Sequence, residues 1–121
     1  MSKAGRLDLK PSKGYHFDTG AYVEYVGEVA PDDRDSLVAS LNQLVREIIE
    51  GTPKEEFVFK KMCSYDEANQ LLEKAGGVPP YIPKGNELRV LKLTSDDAGC
   101  PCGGTHVGHV SDILGIEITK I

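Results

Sequence analysis

Cys100-Pro101-Cys102-Gly103-Gly104-Thr105-His106-Val107-Gly108-His109 gathers two of the chain's three cysteines and two of its three histidines. Thiolates and imidazoles are the donors zinc favours. A ligand loop must also bend sharply around its ion. Gly103 and Gly104 offer backbone angles that other residues avoid. Cys102 and His106, four residues apart, can bite one ion from such a loop. Zinc takes three protein ligands plus water when catalytic and four when structural, so this pair is half a centre. Cys100 is the nearest third candidate, with His109 and His16 behind it. The same residues permit metal-free chemistry, with Cys100 or Cys102 as a thiolate activated by His106 or His109. They also permit a plain glycine turn holding a buried thiol beside a surface histidine. His16, within Gly14-Tyr15-His16-Phe17-Asp18, belongs either in a binding pocket or on a surface turn.

The elements that must position this loop follow from periodicity. Ala21, Val23, Tyr25 and Val29 alternate with Glu24 and Glu28, the pattern of a half-buried strand. Leu37, Leu41, Leu44, Val45, Ile48 and Ile49 recur at helical spacing. Asp32, Asp33 and Asp35 stand at the positive end of that helix, and Gly51-Thr52-Pro53 ends it. Glu56 to Cys63, with Phe57, Val58 and Phe59, predicts a second strand with Cys63 in the core. Ser64-Tyr65-Asp66-Glu67 has the form of a capping box, followed by the apolar stripe Ala68, Leu71, Leu72, Ala75 and the stop Gly76-Gly77. Val78 to Pro83 is a stiff connector. Leu88–Leu93 predicts a third strand and Ile113–Ile121 a fourth. The expected architecture is α+β, a two-layer sandwich with two helices on one face of a mainly antiparallel four-stranded sheet. Residues 1–121 are expected to form a single domain. Residues 1–13, with Lys3, Arg6, Lys10 and Lys13 and the breaks at Gly5 and Pro11, are expected to be a loose basic lead.

A net charge of −5 opposes broad, non-specific nucleic-acid binding. Local basic strips remain, at residues 3–13, at Lys60-Lys61, and at Lys84 with Arg89 and Lys92. No run reaches the roughly 20 apolar residues of a membrane helix. The N-terminus has no apolar signal core. An odd cysteine count is no disulfide framework, and reduced thiols suit a cytoplasmic protein. A P-loop, a dinucleotide fingerprint, an H-E-x-x-H pair and a G-x-S-x-G elbow are all absent from the sequence.

Cys102-Gly103-Gly104-Thr105-His106-Val107 resembles the C-G-G-T-H signature of alanyl-tRNA editing proteins. These are free-standing relatives of the alanyl-tRNA synthetase editing domain, part of which, the second additional domain, is shared with threonyl-tRNA synthetase. Lys13 to Phe17 with Tyr22 to Tyr25 resembles the start of the second half of eukaryotic members. Ser64 to Ala68 is similar to the family's middle. The resemblance implies hydrolysis in trans of serine or glycine wrongly esterified to the acceptor end of alanine tRNA. It implies zinc, with Cys102 and His106 as two ligands. Gly103, Gly104 and Thr105 would line the substrate pocket, with Thr105 and His106 at the chemistry. The family's other two ligands form an H-x-x-x-H pair, which these 121 residues do not contain. Cys100 is the candidate that can compensate. The expectation is therefore the C-terminal portion of an editing protein, or a tRNA- or synthetase-binding module lacking half the metal site.

Overall fold

The computed structural model describes residues 1–121, the side chain of Ser2 excepted. It separates into two compact units, Met1–Glu47 with Gly115–Ile121, and Ile48–Leu114. The class is α+β, as the periodicities require. Among the described residues no helix is long and apolar enough to cross a membrane.

In the first unit, β1 (Lys10–Phe17) and β2 (Gly20–Val26) form an antiparallel hairpin, closed by Asp18-Thr19 between the paired Phe17 and Gly20. This corrects the expectation of a loose lead through residue 13. Pro11 and Gly14 read as breaks, yet pairing runs from Lys10↔Val26 and Pro11↔Tyr25 to Gly14↔Val23. Ser12 and Lys13 therefore oppose Glu24 alone, a bulge that accommodates the irregular stretch. Tyr15, Phe17 and Tyr22 stack across the hairpin, with Tyr15 and Tyr22 centroids 4.7 Å apart. Such cross-strand pairs stabilise a ribbon that has few other contacts.

Helix α1 (Arg34–Gly51) follows the short turn Pro31–Asp33. In this unit it buries Leu37 and half-buries Leu41 and Leu44, the stripe its spacing dictates. The predicted final strand, Ile113–Ile121, is absent. The Asn42 side chain explains why: it donates to the Ile118 carbonyl and accepts from the Ile118 N–H, both at 2.8 Å. One amide side chain occupies the two groups that a ladder would have used.

The second unit holds β3 (Phe59–Cys63), α2 (Tyr65–Leu71), β4 (Leu88–Lys92) and the two-residue β5 (Cys100–Pro101). The sheet is antiparallel in the order β3-β4-β5. A single four-stranded sheet does not form, because β2 pairs locally with β1 and the last segment makes no strand. Nor do both helices share a face. Alternation along β4 sends Leu88 and Val90 to one side and Leu91 to the other. Leu88 and Val90 join Cys63, Ala68, Leu72 and Val78 in a core roofed by α2. Leu91 joins Val58 and Val110, with Ile48 of α1, Cys102 and Val107 packed against them. Helix α2 thus covers one face, and the end of α1 with the segment 102–110 covers the other.

Ser64 caps α2 as its position predicts, accepting from the Glu67 N–H. The reciprocal half of the capping box is not made, since the Glu67 carboxylate pairs with Lys61 instead. The helix is stopped by Gly76 and Gly77, both in the left-handed region. Asn69 Oδ1 then accepts from the Val78 N–H at 3.0 Å. A Cβ on Gly77 would lie 2.5 Å from that same oxygen. Gly77→Ala is therefore expected to lose about 2 kcal/mol, from backbone strain plus the displaced bond. Urea denaturation checks this. Asn69→Ala in the same chain should add less than its own single cost, because the two changes remove one interaction.

Candidate functional site

The Cys/His loop hangs from the sheet. Cys100 pairs with Leu91 and Pro101 with Val90. The ladder then extends one residue further: the Cys102 N–H donates to the Arg89 carbonyl at 2.9 Å. Arg89 Nε returns a bond to the Cys102 carbonyl, also at 2.9 Å. Cys102 is held at both backbone groups by one residue, while its side chain packs into the Val58–Leu91–Val110 cluster. Val107 enters the same cluster. Between these two anchors Gly103, Gly104 and Thr105 are exposed.

The glycines do not serve as expected. Neither Gly103 nor Gly104 has a positive φ. A Cβ on Gly104 would rest 3.8 Å from Cys102 Sγ, an ordinary contact, and one on Gly103 would meet open space. Neither backbone angle nor lack of space requires glycine at these two positions.

His106 is half-buried, and its Nε2 is buried without a hydrogen-bond partner. Buried polar atoms are nearly always satisfied, so this imidazole nitrogen is exceptional. His109 behaves oppositely. Its Nε2 lies 2.8 Å from the Pro53 carbonyl, and its Nδ1 accepts from the Ser111 N–H at 3.1 Å. These partners fix the tautomer with the proton on Nε2. Both nitrogens are spent on structure, so His109 is no spare metal donor. His16 sits exposed on β1 of the first unit, opposite Ala21.

The thiols differ as well. Loss of water around its sulfur pushes the Cys100 thiol up, and the nearby Cys102 and Asp97 add to this. A nucleophilic cysteine needs the opposite shift, so Cys100 is a poor thiolate at neutral pH. Burial likewise raises Cys63, which fills the core.

Cys102 and His106 are donors of the right chemistry for zinc. Among the described residues, however, no group of three His, Cys, Asp or Glu is arranged to hold an ion. The residue that sequence reasoning missed is Arg89, counted there only within a basic strip. Its Nη2 is buried with no partner. The available signal was a lone cation inside the apolar run Leu88-Arg89-Val90-Leu91.

Comparison with known protein families, with curated proteins and with solved structures yields no match for this chain.

Proposed function

We propose that this chain contributes to aminoacyl-tRNA editing, the hydrolysis of serine or glycine wrongly esterified to alanine tRNA, in the cytoplasm. The observation that carries the reading is the buried, unpartnered Nε2 of His106, four residues from a half-buried thiol in a C-G-G-T-H loop. The chemistry has a physical need. A synthetase pocket sized for alanine rejects glycine and serine by only a few kcal/mol, so a second site must discriminate.

Cys102 and His106 would hold a zinc ion, and the resemblance makes its further ligands an H-x-x-x-H pair, which these 121 residues do not contain. When bound, zinc polarises an ester or orients the amino acid's polar groups. This chain's own part is to present the loop: Arg89 fixes Cys102 in place, and exposed Gly103, Gly104 and Thr105 leave room for a substrate beside it. The raised Cys100 thiol disfavours that residue as the nucleophile of the metal-free alternative.

The test is release of serine from serylated alanine tRNA in the presence of added zinc. Wild type should hydrolyse it, and His106→Ala should fall to the uncatalysed rate. Equal release by both would overturn the assignment. A second reading, suggested by the absence of an H-x-x-x-H pair from the sequence, is tRNA binding without hydrolysis. Salt-dependent tRNA binding with no serine release would select it.

A further inference from the structure

Side chains two places apart on a strand stand on the same side of the sheet. Cys100 and Cys102 hold that relation. Cys100 is paired with Leu91, and the bond from the Cys102 N–H to the Arg89 carbonyl carries the same register one step further. Both thiols therefore stand on the Leu91 face, and the packing of Cys102 against Leu91 agrees. Loss of water pushes the Cys100 thiol up, and Cys102 adds to the shift, as a neighbouring sulfur does. Both are free thiols, Cys100 exposed and Cys102 half-buried.

Alternate Cα atoms of a strand lie about 6.6–6.8 Å apart, the far end of what a disulfide spans. A metal ion fits better. Two metal–thiolate bonds of about 2.3 Å, the zinc value, set their sulfurs ~4.6 Å apart when in line. Side chains leaning together from alternate positions reach that separation. Thiolates are soft donors that suit monovalent copper, zinc and iron–sulfur clusters. Zinc takes at least three protein ligands and the clusters four. Among the described residues, no third His, Cys, Asp or Glu is arranged with this pair. Monovalent copper is content with two. The raised Cys100 thiol is no obstacle, because a coordinating thiol gives up its proton to the metal. Two thiolates and one monovalent ion carry a net negative charge. Arg89, whose Nε lies 2.9 Å from the Cys102 carbonyl, sets a permanent positive charge beside them.

We propose that Cys100 and Cys102 form a two-coordinate site for monovalent copper at the root of the Cys/His loop. Binding releases the two thiol protons to solvent and makes two copper–sulfur bonds, with no change of oxidation state. The site is independent of the editing reading except that it claims Cys102, so copper here and zinc on Cys102 exclude each other.

Monovalent copper titrated anaerobically into the full chain, against a chromophoric chelator of that ion, tests it. The chain should retain a single copper, and X-ray absorption should show sulfur neighbours only. Cys100→Ser should abolish retention. Cys100 is exposed, so this variant tests the site even where Cys102→Ser fails to fold. Met62→Leu removes an exposed sulfur from the opposite edge of the sheet and should retain copper as wild type does. Retention by Cys100→Ser equal to that of wild type overturns the proposal. A nitrogen neighbour in the absorption spectrum, or surrender of the metal to the chelator by wild type, overturns it too. His106→Ala, which the editing reading requires to lose serine release, should still hold copper, so either idea can fail while the other stands.

Discussion

Leu72→Ala is expected to lose about 3–5 kcal/mol of stability, the upper part of the range for a large-to-small core change. Leu72 has no exposed surface and sits at the centre of the core formed with Cys63, Ala68, Val78, Leu88 and Val90. Its backbone is fixed from both sides. The Leu72 N–H donates to the Ala68 carbonyl, and the Leu72 carbonyl accepts from Ala75 and Gly77. The cavity left by a truncated side chain therefore has little freedom to collapse. The same side chain approaches Gly99, where an added Cβ would lie 3.1 Å from Leu72 Cδ2. Gly99 introduces β5, so the loss should also loosen the root of the Cys/His loop. Against a usual total of about 5–15 kcal/mol, this one change removes a large share. Urea denaturation with an unchanged slope is the measurement. Leu72→Met, of similar volume, should cost less than about 1.5 kcal/mol. An alanine variant as stable as the methionine one would mean that α2 does not pack as described.

The second large effect concerns His109. His109→Ala removes the bond to the Pro53 carbonyl, the cap on the turn Val110–Asp112 and the edge contact with Phe57 at 6.1 Å. Two hydrogen bonds at about 1 kcal/mol each, plus the volume lost from a buried ring, give an expected cost of about 2–4 kcal/mol. His109→Asn separates the contributions. Asparagine is a good cap but is too short to reach Pro53, so it should recover only part of the loss. Thermal unfolding reads both. If zinc binds the folded chain, its content per folded molecule should be the same in His109→Ala as in wild type and reduced in His106→Ala. Equal reduction in both would contradict the structural role of His109.

Much of the fold was legible in the residue order, where the physics is local. The stripe from Leu37 to Ile49 predicts α1, and Ser64 predicts the start of α2, because a helix declares itself through spacing and caps. Cys63 is buried as expected. What was not legible depended on partners distant in sequence. β1 was hidden because Pro11 and Gly14 normally interrupt a strand, and only pairing with Val23 to Val26 makes the bulge worthwhile. Ile116 and Ile118 read as a strand until Asn42, 76 residues before Ile118, takes the backbone groups of Ile118. At the site, the residue types of Cys102 and His106 could be read directly. The roles of Arg89 and His109 could not, since each is defined by what its nitrogens meet across the fold.

The irregular stretch in β1 has a consequence for the molecule in a crowded solution. A two-stranded ribbon bearing exposed Phe17, Tyr22, Val23 and Val26 is an open template for another chain to extend. Pro11 has no N–H to offer a newcomer, and the doubled residues Ser12 and Lys13 break the even spacing an added strand would need to match. Lys10 and Lys13 put positive charge beside the same edge. The feature that disguised this strand in the sequence also discourages copies of the chain from stacking on it.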